Sequence, residues 1–280
     1  MIDRLRITVL ADNYVVAPGL LGEHGLSMLI EADDKRILFD TGQGKVLRDN
    51  LATLGIALAP LDAIVLSHGH YDHTGGLSDA LRAATPNAIF IHPAAMARKF
   101  VAGKYPPYRS IGMPAISRNA FGVLRERLVW TQAVTEVVPG VWCTGEIPRT
   151  QNKVATEQSF FLDEEGHEPD LLLDDQALFV ETKRGLVIVA GCAHAGVANT
   201  VNHICKLAGR TEIHALIGGL HLGRASRQQL EETGSTLGRL NCQVLAPCHC
   251  TGMSAHAYLR SRFCSLVQDV GAGTCLVIEE

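Results

Sequence analysis

The sequence predicts an α/β sandwich, with two β-sheets packed face to face and helices on the outside. Three observations predict it. Short apolar runs bounded by turn residues recur in both halves of the chain. Stretches with helical spacing follow several of them. In both halves, histidines come just past the end of a predicted strand. Layered elements of this kind bury one face against each other, and the loops at one rim are where a site is built.

The elements follow in order. Met1 to Leu10 alternates charged and apolar residues, as an opening strand does. Ser27 to Glu31 and Arg36 to Phe39 are apolar runs split by Asp33-Asp34, a hairpin signal. Val46 to Leu54 has helical spacing, and Ala63 to Leu66 is a short buried strand. Leu77 to Ala84 is helical after Thr74-Gly75-Gly76, and Ala88 to Ile91 is a strand. Residues 93–145 are less regular, holding Pro93, Pro106, Pro107 and Pro114, and are expected to form an inserted subdomain or a lid. Asp163 to Asp175 is acidic, contains Pro169 and reads as a loop. Ala177 to Thr182 and Leu186 to Ala190 form a hairpin turning at Lys183-Arg184-Gly185. Gly196 to Ala208 is helical, Ile213 to Ile217 a strand, Arg227 to Leu240 a helix and Val244 to Ala246 a strand. Ser254 to Cys264 is helical and Thr274 to Ile278 closes the chain as a strand.

Composition narrows the function. With 47% apolar and 19% charged residues the 280-residue chain is globular, and its length suits one or two domains. A formal charge of −4 without a basic stripe argues against a nucleic-acid partner. No apolar run has the length of a membrane helix, and the start lacks a secretory pattern, so the cytoplasm is the expected address. Most of the 8 cysteines then read as reduced thiols packed as small hydrophobes. A small molecule is the expected partner, and a homo-oligomer stays open.

The strongest chemical signal is Ser67-His68-Gly69-His70-Tyr71-Asp72-His73, directly after the strand Ala63 to Leu66. Imidazole nitrogen and carboxylate oxygen are ligands that zinc, iron and manganese accept. The loop can turn His68 and His70 toward one point and Asp72 and His73 toward a neighbouring one. A second strand ends in Gly191-Cys192-Ala193-His194, where His194 is a ligand candidate and Cys192 either a ligand or a packed thiol. A third runs into Cys248-His249-Cys250, with His249 the candidate ligand and the two thiols read as flanking groups, because residues one apart do not easily all bind one ion. His221 follows a fourth strand as a ligand, a substrate contact or a structural residue. Asp40 is placed to orient a ligand histidine. Asp174-Asp175 offers a carboxylate ligand or a solvated turn. His24 lines the pocket in a glycine-rich loop, while His92, His167, His203, His214 and His256 read as structural or surface residues.

The run His68-Gly-His70-Tyr-Asp72-His73, with Leu38-Phe39-Asp40-Thr41-Gly42 upstream and His194 and His249 following in order, resembles the metallo-β-lactamase superfamily over residues 5–278. The resemblance implies one domain over residues 1–280, a four-layer αββα sandwich of two mixed sheets with a metal centre at one rim. Glu23-His24-Gly25-Leu26-Ser27, Gly145-Glu146-Ile147-Pro148-Arg149, Asp174-Asp175-Gln176-Ala177-Leu178 and Gly191-Cys192-Ala193-His194-Ala195-Gly196 resemble one subgroup of metal-dependent hydrolases. That subgroup includes proteins similar to dihydropterin ribofuranosyl-aminobenzene phosphate synthases. Cys192 stands where many members carry a bridging aspartate, and Asp174-Asp175 stands in the usual place of a histidine, for which His194 substitutes.

The expected activity is a metal-dependent hydrolase, using a metal-activated hydroxide on an ester, phosphoester or similar small anionic substrate. One or two divalent ions are expected, zinc first and manganese or iron as alternatives. His68, His70 and His194 are expected to hold one, and Asp72, His73 and His249 the other, with Cys192 and Asp175 as further candidates. Asp72 and His221 are the candidate catalytic side chains. His24 is expected to meet the substrate, and Arg149 and Lys153 are expected either to attract an anionic substrate or to be solvated surface charges. The alternatives are a metal-dependent transferase or synthase acting on a pterin and a phosphoribosyl-type substrate, a nuclease, and a non-catalytic metal scaffold.

Overall fold

The computed structural model describes residues 1–150, 159–240 and 242–279. The first half supplies β1 (Arg4–Ala11), β2 (Ser27–Ala32), β3 (Lys35–Phe39), β4 (Ala63–Val65) and β5 (Ala88–Ile91). Helices α1 (Leu47–Leu54), α2 (Tyr71–Thr74) and α3 (Leu77–Ala83) connect them. The middle of the chain adds β6 (Phe100–Val101), β7 (Arg109–Ser110), helix α4 (Ala115–Val123), β8 (Leu128–Trp130), β9 (Thr135–Val138), β10 (Val141–Cys143) and β11 (Phe160–Phe161). The second half holds β12 (Ala177–Thr182), β13 (Gly185–Ala190), α5 (Val197–Ala208), β14 (Ile213–Gly219), α6 (Arg227–Arg239), β15 (Val244–Cys248), α7 (Met253–Phe263) and β16 (Cys275–Glu279).

These strands make two large sheets, in the orders β16-β1-β2-β3-β4-β5-β8 and β15-β14-β13-β12-β10-β9. Both are mixed. β1, β2 and β3 are antiparallel neighbours whereas β3, β4, β5 and β8 run parallel. In the other sheet β12 and β13 form the antiparallel hairpin and β13, β14 and β15 run parallel. Alternation along the strands dictates the layering. Leu5, Ile7, Val9, Met28 and Ile30 face inward and meet Val180, Val187, Val189 and Ile217 in a single apolar layer. Leu10, Leu29 and Leu38 face outward and are covered by Leu47 and Leu51 of α1 and Leu77 of α3. Phe179, Ile188 and Leu216 do the same under Val201 and Ile204 of α5, Leu237 of α6 and Leu259 of α7. The result is the four-layer αββα sandwich. Because β13 is covered on both faces, its sequence is a continuous buried run rather than an alternating one.

The irregular stretch 93–145 divides among three sheets. β8 extends the first large sheet and β9 and β10 extend the second. β6 pairs with β7 on one side and β11 on the other in a small three-stranded sheet that brings Phe160 over the rim. The acidic stretch 163–175 is irregular, as its proline and its charges require. Among the described residues no helix is long and apolar enough to cross a membrane.

Candidate metal centre

The carboxyl ends of β3, β4, β13, β14 and β15 converge on one rim of the sandwich. The chain leaves β4 through Ser67 and His68 and turns at Gly69 into α2, which carries Asp72 and His73. Gly69 is required there, since a Cβ would lie 2.3 Å from the Ala95 carbonyl oxygen. β13 delivers Cys192 and His194, β14 delivers His221, and β15 delivers His249 and Cys250. Of the seven non-glycine residues with positive φ among those described, Asp40, Ala193, His221 and His249 lie at this rim. Such conformations cost about 1–3 kcal/mol each and persist where surrounding structure imposes them.

Two groups of donor atoms form. His68 Nε2 lies 2.9 Å from His70 Nδ1 and 3.3 Å from His194 Nε2. His73 Nε2 lies 3.1 Å from His249 Nε2 and 3.2 Å from Cys192 Sγ. Asp72 Oδ2 is 3.5 Å from His249 Nε2 and 3.9 Å from His73 Nε2. Cys192 belongs to both groups, with His68 and His194 on one side and His73 and His249 on the other.

Hydrogen bonds set the imidazole tautomers. Ser67 Oγ donates to Asp40 Oδ2 at 2.7 Å, so it accepts from His68 Nδ1 at 2.9 Å. His73 Nδ1 donates to the same Asp40 oxygen at 2.6 Å. His249 Nδ1 donates to Asn13 Oδ1 at 2.9 Å. In all three rings Nε2 is the nitrogen left facing the cluster, the one a cation would take in place of a proton. Asn13 Nδ2 donates to His24 Nδ1 at 3.2 Å, which leaves the His24 Nε2 proton for Asp72 Oδ2 at 3.2 Å.

Burial reinforces this. His68 and His194 are held well below the ordinary histidine range by desolvation first and by neighbouring imidazoles second. Desolvation takes His70 down to about 3. Burial opposes the charge on His73 too, but Asp40 and Asp72 outweigh it and raise the ring to about 9. Burial pushes the Asp72 carboxyl up, and the His73 charge with bonds from His24 and His249 holds it well below its usual value.

The donor set fits divalent cations. Two imidazole lone pairs at hydrogen-bond distance cannot satisfy each other without a proton or a cation between them. The separations of 2.9 and 3.3 Å match the edges of a coordination polyhedron, about 2.9–3.4 Å for metal–nitrogen bonds of about 2.0–2.1 Å. One expectation for a single residue follows from the same hydrogen-bond pattern. Asp40→Asn removes the anionic acceptor shared by Ser67 and His73, and is expected to weaken metal affinity by about 10–100-fold in a chelator-competition assay.

Metal-free protein is expected to be most stable near pH 6.5. His68, His70 and His194 have folded-state pKa values below the unfolded value, so their contribution is present above about pH 6.5 and is lost as pH falls below it. His73, raised to about 9, contributes below about pH 6.5 and loses that contribution as pH rises through 9. Each group adds at most about 1.4 kcal/mol per pH unit, and His24 and His221, also raised, add to the alkaline limb. Urea midpoints of chelator-treated protein between pH 4 and pH 9 check both limbs.

Other sequence-predicted residues fall outside the two groups. Asp175 Oδ2 accepts from Ala195 N at 2.7 Å, behind His194, and its Oδ1 is buried without a partner. Burial raises its carboxyl to about 6. His221 stacks on His194 with ring centroids 4.3 Å apart. Arg149 Nη2 donates to the Leu172 carbonyl at 3.2 Å. Lys153 lies outside the described residues. Several residues at the centre carry no sequence signal. Asn13 bridges His24 and His249, and Phe160 sits with its ring centroid 5.3 Å from His70 and 5.5 Å from His194. Lys99 is fully buried, with Nζ 2.7 Å from Asp170 Oδ2 and 2.8 Å from Asp174 Oδ1. The second oxygen of Asp174 accepts from Gly69 N at 2.7 Å, which ties the ion pairs to the ligand loop.

Comparison with known proteins places this geometry. Residues 21–197 match the profile of the metallo-beta-lactamase superfamily. The chain is 30% identical over 275 residues to the 7,8-dihydropterin-6-methyl-4-(beta-D-ribofuranosyl)-aminobenzene-5'-phosphate synthase of Methanocaldococcus jannaschii, spanning 94% of this chain and 92% of that one. An uncharacterized protein of the same organism is 29% identical over 251 residues, 89% of this chain and 91% of its own length. The crystal structure of Tm1679, a metal-dependent hydrolase of the beta-lactamase superfamily, has a TM-score of 0.82 at 28% identity and covers 99% of this chain and 100% of its own. The profile match runs from β2 through the hairpin that delivers Cys192 and His194, and the chain belongs to the metallo-beta-lactamase superfamily.

Proposed function

We propose that this protein is a metal-dependent synthase that joins a pterin-bearing substrate to a phosphoribosyl-type partner. What carries this reading is the likeness along 94% of the chain to a synthase whose name couples a dihydropterin to a ribofuranosyl-aminobenzene phosphate. In this reading His68, His70 and His194 hold one divalent ion and Asp72, His73 and His249 a second, with Cys192 between them. The thiol in both groups favours zinc over manganese, because thiolate is a soft ligand. Such ions, when bound, polarise oxygens and lower the pKa of water.

The chain's own residues do the rest. His24, half-exposed at the mouth, fixes the Asp72 carboxylate by its Nε2 proton. Phe160 of the small sheet covers His70 and His194 and excludes water from that side, which makes the β6-β7-β11 sheet the lid. Arg109, exposed and lying 5.7 Å over the Tyr71 ring, is a cation at the mouth for a phosphate. His221 faces the substrate beside His194, and Arg149 serves the acidic side of the pocket near Asp175. Eight free thiols suit a cytoplasmic setting.

A second reading is hydrolysis by the same residues, favoured by the likeness to Tm1679 at TM-score 0.82. The test supplies zinc-loaded protein with a dihydropterin activated at its 6-methyl carbon and a ribofuranosyl-aminobenzene phosphate. A parallel panel holds phosphodiesters, lactones and thioesters. A joined product detected by mass spectrometry supports the synthase. Turnover of the panel alone transfers the conclusion to the hydrolase, and inertness in both arms overturns each.

A further inference from the structure

Cys250 has no place in the two imidazole groups, yet it is not idle in the structure. His249 turns its ring toward His73, and the next residue, Cys250, meets the end of β14 and the segment that follows it. There its Sγ accepts from His221 N at 3.3 Å and lies 3.8 Å from the Cys192 carbonyl oxygen. Gly219 makes the approach feasible, since a Cβ at that position would sit 2.6 Å from the Cys250 sulphur and 3.3 Å from Cys192 Cα. His221 Nδ1 is buried without a hydrogen-bond partner. One donor atom from each of Cys192, His221 and Cys250 lies within 4.8 Å of the others.

We propose that Cys192, His221 and Cys250 form a third cation position, rich in thiol, that takes a thiophilic d10 cation. Two sulphurs and one imidazole make a soft donor set that discriminates against magnesium, calcium and manganese. The same set of two Cys and one His holds zinc elsewhere with one position open. Two thiolates also supply the negative charge that the neighbouring imidazoles cannot. Cys192 is common to all three groups, so a soft cation held here draws that sulphur away from the imidazole pairs. The inference does not rest on which reaction the enzyme performs.

Cadmium alone is the probe. Metal-free protein is titrated with Cd2+ under nitrogen while the thiolate-to-cadmium charge-transfer band is followed. Wild type is expected to show the absorbance of two thiolates, and Cys250→Ser about half of it. His221→Asn is expected to keep the final absorbance but to weaken that phase by at least about tenfold, the loss seen when even an outer partner of a ligand is disturbed. Cys264→Ser, which removes an exposed thiol, is the unchanged control. Cadmium NMR of wild type needs no variant, and a resonance in the two-sulphur, one-nitrogen range is expected. Titration of Cys250→Ser like wild type, or cadmium resonances typical of one sulphur only, overturns the proposal.

Discussion

Changing His70 or Asp72 to Ala is expected to lower kcat/KM by on the order of 10³-fold or more while leaving the chain folded. A bound divalent ion contributes several kcal/mol of charge stabilisation, and each 1.36 kcal/mol is about tenfold in rate. Both side chains sit at the rim and outside the three apolar layers, so the sandwich does not depend on them. Bound metal is expected to fall by about one equivalent in each variant, since each disrupts a different donor group. Kinetics on the substrate identified by the two-arm assay, elemental analysis and circular dichroism check the three parts. Unchanged turnover in both variants puts the chemistry elsewhere.

Lys99→Met is expected to be the most destabilising single change away from the metal groups. The ammonium is fully buried between Asp170 and Asp174. Removing one partner of a buried ion pair typically costs about 3–5 kcal/mol, because the remaining charge stays uncompensated. Asp174 also accepts from Gly69 N, so the loss should reach the ligand loop and reduce metal affinity as well. Urea unfolding of metal-free protein measures the first effect and chelator competition the second. Pairing Lys99→Met with Asp174→Asn should cost less than the sum of the two single changes, because they share one network.

Much of the fold could be read from runs and turns. The Asp33-Asp34 hairpin, the hairpin at Lys183-Arg184-Gly185 and the helices after β13 and β14 lie within one or two residues of where spacing puts them. β8, β9 and β10 were harder to see, because three or four residues in a basic, proline-containing stretch give no usable period. The ligand cluster was visible because its residues are adjacent in sequence. Lys99 was not, since its partners lie 71 and 75 residues away and a lone lysine before Phe100 gives no sign of burial. Asn13 reads as an ordinary loop residue until His24 and His249 are folded against it. In the sequence Cys250 reads as a flanking thiol, because residues one apart do not easily all bind one ion. His249 meets His73 and Asn13 whereas Cys250 meets Gly219 and His221, so the two neighbours serve different positions.

The donor groups draw on both sheets: His68 and His73 follow β4 of one, while Cys192 and His249 follow β13 and β15 of the other. A cation there is a clasp across the open edge of a two-leaved book. Chelation unhooks the clasp and leaves the leaves joined by the apolar layer and by the hydrogen bonds that Gln176 and His249 make across the rim. Amides at the strand tips near Ser67, Cys192 and Cys248 should then exchange with deuterium well before those at mid-strand Ile30 and Val187, and zinc should restore their protection.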